Sequence, residues 1–230
     1  MEAIILAGGL GTRLRSRLAD LPKAMAPIGG RPFLELLLDQ LVEQGCRRIL
    51  LSVGYRREAI LDKFSKPYRG ISLHPVVEQL PLGTGGAIRL ALEHASEPSV
   101  LVLNGDTYLD VDLQALLLRH ATAERPMTIA VAWVEDVSRY GGVQVSGEHV
   151  VSFIEKGRTG AGWINGGVYV MDRTFPWPEN LSSPFSFESD VLARSLQEIR
   201  PAAFCCRGRF LDIGTPEDLD RAQAELPRHE

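Results

Sequence analysis

The residues best suited to chemistry in this chain stand at the ends of short apolar runs. Ile4-Ile5-Leu6-Ala7 leads into Gly8-Gly9-Leu10-Gly11-Thr12-Arg13-Leu14, and Pro22-Lys23-Ala24 follows shortly after. Glycine at 8, 9 and 11 removes the Cβ that would hold a ligand off the backbone, so main-chain N–H groups can meet phosphate oxygens at the end of a buried strand. Arg13 offers bidentate contact to a polyphosphate, and Lys23 a movable point charge. Leu6, Ala7, Gly8, Gly9, Gly11 and Thr12 are therefore the expected phosphate-binding loop, with Arg13 and Lys23 supplying its positive charge. The third glycine of a dinucleotide fingerprint is missing, since Leu14 holds its place, and no Gly-Lys-Ser/Thr follows as in a Walker loop. A glycine turn of purely structural use would leave Arg13 and Lys23 unexplained.

Two further groups follow the same logic. Glu78-Gln79-Leu80-Pro81-Leu82-Gly83-Thr84-Gly85-Gly86-Ala87 is a second glycine-rich loop that opens a helix, where backbone N–H groups favour bound oxygens. Asn104-Gly105-Asp106-Thr107 ends a predicted strand, which is where open α/β sheets place their ligands. Asp106 is the first choice for a Mg²⁺ ligand, because that ion takes one or two carboxylates and completes its shell with water and phosphate oxygens. An Asx turn or the cap of a helix over 111–122 is the competing use of Asp106, but Asp110 and Asp112 suit the cap better. The histidines lack metal-ligand spacing, and Cys46, Cys205 and Cys206 form no CxxC pair and read as reduced packing residues.

The elements that must position these residues are legible from periodicity. Pro32 opens a helix with apolar residues at 33, 34, 37, 38, 41 and 42 that closes at Gly45. Strands over 49–53, 71–77 and 99–103 alternate with helices near 56–64, 83–95 and 111–122, which predicts an α/β fold with a doubly wound, mostly parallel, Rossmann-like sheet. From Met127 the segments 127–134, 141–145, 150–155 and 163–171 are strands without long helices between them, so a mixed or antiparallel lobe is added to that sheet. Thr215 and Pro216 open a last helix, and a helix near 186–199 is left without an evident role beyond the packing of Phe185 and Phe187. One domain over 1–230 is expected, with a nucleotide-binding part (1–126) and a second part (127–230).

The glycine loop with Pro22-Lys23 resembles the signature of the sugar-1-phosphate nucleotidyltransferases, and the resemblance runs to about residue 222. Within that family the sequence is most similar to the D-glycero-α-D-manno-heptose 1-phosphate guanylyltransferases. The resemblance implies the nucleotide-diphospho-sugar transferase fold, GTP and a sugar 1-phosphate as substrates, Mg²⁺ as cofactor, and GDP-heptose for surface polysaccharide synthesis as the product. It assigns Gly83, Thr84 and Asn104 to the nucleotide and Asp212, with Asp106, to the metal. Glu78 would accept the two adjacent donors of guanine, or else be a solvated turn carboxylate. On the sugar side it assigns Gly141, Glu155, Asn165 and Gly166 to the sugar and Lys156 to the sugar phosphate.

Bulk composition narrows the partners. With 230 residues of which 45% are hydrophobic, the chain can bury a full core, and a net charge of −4 gives no reason to expect nucleic acid. No apolar run approaches a membrane span and residues 1–7 lack a signal-peptide pattern, so a cytoplasmic protein is expected. Hexapeptide repeats that carry acyl transfer in longer relatives are not expected here. Oligomeric state is not readable, and a homodimer stays open. Competing functions are a mannose 1-phosphate guanylyltransferase, an N-acetylmuramate 1-phosphate uridylyltransferase, a non-catalytic nucleotide-sugar sensor, and an NAD-dependent epimerase, the last lacking a Tyr-x-x-x-Lys pair.

Overall fold

The computed structural model describes residues 1–9, 11, 14–18 and 21–225. Its first strand, β1 (Glu2–Leu6), is apolar at every position from Ala3 onward because both of its faces are covered. The chain continues through α1 (Arg15–Leu18), the short strands β2 (Pro27–Ile28) and β3 (Arg31–Pro32), and α2 (Phe33–Glu43). Next come β4 (Arg48–Val53), α3 (Arg57–Lys63), β5 (Leu73–Val77), α4 (Gly83–Glu93), β6 (Ser99–Asn104), β7 (Thr107–Leu109) and α5 (Leu113–Ala123). The second half holds β8 (Met127–Val134), β9 (Gly142–Ser146), β10 (His149–Ile154), β11 (Gly162–Asp172), α6 (Ala193–Ile199), β12 (Ala202–Cys206), β13 (Phe210–Asp212) and α7 (Pro216–Glu225).

Nine of these strands form one sheet in the order β5-β4-β1-β6-β11-β8-β12-β10-β9. The first four run parallel, whereas β11 enters antiparallel to both β6 and β8, and β12 returns parallel to β8. The α/β class and the mixed second half agree with the sequence reading, and the second half extends the same sheet. Apolar side chains of α2, α3, α5 and α7 pack on one face with Ala3 and Ile5, while α4 and α6 pack on the other with Ile4, Leu50 and Val102. No helix among the described residues is long and apolar enough to cross a membrane.

Local signals explain most boundaries. Asp112 caps α5, its Oδ1 accepting the Ala115 N–H at 2.9 Å, so of the two aspartates suggested for that role only this one performs it. Thr215 Oγ1 accepts the Asp218 N–H at 3.3 Å and starts α7 as anticipated. The segment expected as a single helix over 186–199 is instead a π-helical turn over Phe187–Leu192 followed by α6, with Ser195 outside helical geometry. The turn is pinned by aromatic packing: Phe187, fully buried, meets the Tyr169 ring edge-on at 5.5 Å and lies 6.2 Å from Phe175 and Trp177. Packing is thus what the two phenylalanines do. Phe187→Ala should cost about 3–5 kcal/mol of stability, seen in urea unfolding as a lower midpoint at unchanged slope.

Candidate active site

β1 and β6 lie side by side with Leu6 opposite Asn104, so their C-terminal ends open at one level. The Gly105 N–H donates to the Leu6 carbonyl at 3.0 Å, an approach so close that a Cβ at 105 would collide with that carbonyl. Asp106 is thereby set beside the start of the glycine loop. Lys23 arrives from the other end of that loop, on a single 3-10 turn over Lys23–Met25, and its Nζ donates to Asp106 Oδ2 at 2.6 Å. The lysine side chain is 12% exposed and the aspartate 39%, so the cation is the buried partner. Gly11 takes a left-handed conformation (φ +54°) against Lys23, whose Cβ lies 3.3 Å from where a Cβ on residue 11 would stand. Thr12 and Arg13 lie outside the described residues.

Asp212 closes the same corner. β13 pairs with β7, placing Asp212 opposite Thr107, and the Ile213 N–H donates to the Asp106 carbonyl at 3.0 Å. Burial pushes the Asp212 carboxyl upward, the charge of Asp106 adds to this, and Lys23 works against it. Behind it the buried Asp218 is held by Arg139 at 2.5 Å and approached by Arg221 at 3.4 Å, which braces α7 against the site. Two carboxylates that repel each other beside a lysine fit a hard divalent cation, which would relieve that repulsion. Among the described residues no group of three or more His, Cys, Asp or Glu gathers around them, so water and phosphate oxygens would complete the shell.

Glu78 follows β5 and turns back under the glycine loop. Its Oε1 accepts from Ser52 Oγ and its Oε2 from the Leu82 N–H, both at 3.2 Å, and a Cβ at Gly8 would collide with Oε1. It is a held, half-buried carboxylate rather than a solvated one: burial raises its pKa, and the two hydrogen bonds offset this only in part. The second glycine loop also serves packing. The Gly85 N–H is taken by the Phe185 carbonyl at 3.0 Å, and Cβ atoms at Gly83 and Gly85 would strike Phe185. These glycines admit the segment before the π-helical turn, and the Thr84 hydroxyl is likewise engaged, donating to Glu188 and accepting from the Phe187 N–H, each at 2.8 Å.

A cavity of about 560 Å³ runs along these strand ends. Leu6, Ala7, Gly8, Gly9, Lys23, Glu78, Gly83, Thr84, Asn104 and Asp106 all line it, so most of the expected nucleotide residues are brought together. The sugar-side candidates and Asp212 lie outside its lining. Asn165 sits at a bulge where Gly166 and Gly167 leave the β11–β8 register, its Nδ2 donating to the Tyr169 hydroxyl at 2.8 Å and its Oδ1 accepting the Gly167 N–H at 3.0 Å. A Cβ at Gly166 would lie 2.7 Å from the Ala130 carbonyl, so that glycine serves the bulge. Glu155 and Lys156 follow β10 and are exposed, and Gly141, left-handed at φ +81°, lies against the Lys156 side chain.

A family model described as Nucleotidyl transferase matches residues 2–229. The chain belongs to the nucleotidyl transferase family. It is 43% identical over the whole of both chains to a D-glycero-alpha-D-manno-heptose 1-phosphate guanylyltransferase of Aneurinibacillus thermoaerophilus. A protein of the same name from Campylobacter jejuni is 41% identical over 95% of this chain and 96% of its own. The crystal structure of HddC from Yersinia pseudotuberculosis complexed with GMP-PN superposes with a TM-score of 0.83 at 37% identity, covering 97% of this chain and 98% of that one.

In this nucleotidyl transferase the cavity also takes Gly54 and Tyr55 after β4, Arg57 at the start of α3, Gln79 to Pro81, and Glu188. Position after a parallel strand could have pointed to Gly54 and Tyr55, as it pointed to Asp106. Glu188 gave no such signal, because a π-helical turn has no sequence pattern of its own. Since the folded chain holds the Glu78 proton to higher pH than the unfolded chain, folding takes up a proton there; stability falls as pH rises through that window and the loss persists at neutrality. Glu78→Gln should therefore gain stability over wild type as pH rises above 4.5 and gain none below it, which urea unfolding on either side of that value checks.

Proposed function

We propose that this enzyme transfers GMP from GTP to D-glycero-α-D-manno-heptose 1-phosphate, releasing pyrophosphate and supplying GDP-heptose for surface polysaccharide synthesis. The observation that carries the reading is one cavity lined both by a held carboxylate, Glu78, and by the Lys23–Asp106 pair. A carboxylate accepts the ring N–H and exocyclic amino group of guanine together, and the Lys23 cation suits the phosphates. The full-length likeness to two guanylyltransferases named for that heptose supports both base and sugar.

In this mechanism an oxygen of the sugar phosphate attacks the α-phosphorus of GTP. The new O–P bond forms as the bond to the bridging oxygen breaks, and pyrophosphate leaves with that electron pair. The attacking oxygen is already anionic at neutral pH, so no general base is needed and none of the histidines is required. Lys23 exchanges its bond to Asp106 for the nucleotide phosphates and balances charge on the departing pyrophosphate, a task Arg13 shares on the strength of the loop motif. Lys156, with Gly141 beside it, holds the sugar phosphate, while Glu155 and Asn165 bind sugar hydroxyls. Asp106 and Asp212 would hold Mg²⁺, which supplies Lewis-acid polarisation of phosphate oxygens.

Pyrophosphate release tests the reading, with GTP, ATP, UTP, CTP and dTTP crossed against the 1-phosphates of heptose, mannose, glucose and N-acetylmuramate. GTP with the heptose should be fastest, chelation of divalent ions should abolish release, and folded Lys23→Ala should lose about 10²–10³-fold in kcat. A different fastest pair would reassign base or sugar, and no release from any pair would overturn the transfer itself.

A further inference from the structure

The π-helical turn brings into the cavity a carboxylate for which neither the base nor the phosphates have a use. Glu188 lines the cavity together with Asn104, Gly105 and Asp106. Its Oε2 is committed, accepting from Thr84 Oγ1 at 2.8 Å and from Ser186 Oγ at 3.1 Å. Because the Thr84 hydroxyl oxygen already accepts the Phe187 N–H, its proton is directed at Glu188 and the carboxylate is held in one orientation. Its Oε1 has no protein partner among the described residues.

The neighbours of Glu188 tell which part of a ligand it faces. Tyr169, fully buried on β11, takes hydrogen bonds from Asn165 and Asn104. Phe187, the residue before Glu188, packs edge-on against the Tyr169 ring at 5.5 Å, which fixes Glu188 beside β11; burial pushes the Tyr169 phenol up, and the charge of Glu188 pushes the same way. In the sheet order β5-β4-β1-β6-β11, Glu78 is at the β5 end, Lys23 and Asp106 are where β1 and β6 end, and Glu188, next to Phe187, is on the β11 side. A nucleotide with its base on Glu78 and its α-phosphate at Asp106 leaves the space beside Glu188 to the second substrate.

We propose that Glu188 is a specificity-determining residue of the sugar subsite, its free Oε1 accepting a hydroxyl of the incoming sugar 1-phosphate. This rests on the transfer reading above. A hydroxyl donating to an oriented carboxylate makes a charge-assisted bond, and a sugar lacking that hydroxyl leaves the acceptor unpaired, which is how a polar site rejects an analogue.

The test is Glu188→Gln in the full chain, which keeps an acceptor for Thr84 and Ser186. KM is measured separately for GTP and heptose 1-phosphate, and kcat/KM is compared across heptose 1-phosphates each lacking one hydroxyl. The variant should raise KM for the sugar phosphate about 10- to 100-fold, leave KM for GTP within about twofold, and lose the wild-type discrimination against one deoxy analogue. Ser186→Ala, which removes a brace but keeps the carboxylate, should retain that discrimination. A rise in the KM of GTP with sugar selectivity intact would place Glu188 on the nucleotide and overturn the proposal, as would selectivity unchanged in every variant. If wild type releases no pyrophosphate the transfer reading falls by itself; calorimetry with heptose 1-phosphate then still decides, since equal affinity of wild type and Glu188→Gln overturns the assignment and about 10- to 100-fold weaker binding by the variant supports it.

Discussion

The ion pair between Lys23 and Asp106 is the contact on which the arrangement of the site depends. It ties the far end of the glycine loop to the end of β6, while Gly105 against Leu6 ties β6 to the start of that loop. With the lysine more buried than its partner, the pair holds a cation under the loop where phosphate is expected, and Asp106 in turn raises the proton affinity of Asp212. Such a cluster is held in tension, with two carboxylates and one lysine, and it is the type of charge imbalance that an anionic ligand with its counter-ion resolves.

A second constraint couples the two halves of the chain. The loop that opens α4 has glycines where Phe185 must pass, and the Thr84 hydroxyl locks that loop to the π-helical turn. The nucleotide side is therefore shaped by residues more than a hundred positions later, and Glu188 enters the cavity as part of the same packing. The mixed sheet makes this possible: β11 lies antiparallel beside β6, so the bulge at Gly166 and Gly167 comes to rest next to Asn104.

Strand ends and loop glycines were readable because a buried parallel strand is an unbroken apolar run and its ligand lies where the run stops. That logic reached Gly8, Lys23, Glu78 and Asp106, all of which line the cavity. It did not reach the uses that depend on distant partners. Gly83 and Gly85 also make room for Phe185, and Gly166 also serves a bulge. Asn165 is hydrogen-bonded to Tyr169 and Gly167, a fact no spacing reveals. The helix over 186–199 was misread for a related reason, since aromatic packing of Phe187 against Tyr169 overrides the local helical pattern.

If guanine binds on Glu78 and the nucleotide phosphates draw Lys23 from Asp106, a crystal structure with Mg²⁺ and a non-hydrolysable GTP analogue will show it. The guanine ring N–H and amino group should lie within hydrogen-bond distance of the two Glu78 oxygens, with Lys23 turned onto phosphate and the ion held at Asp106 and Asp212. A nucleotide bound with the Lys23–Asp106 pair intact and its base away from Glu78 would contradict it.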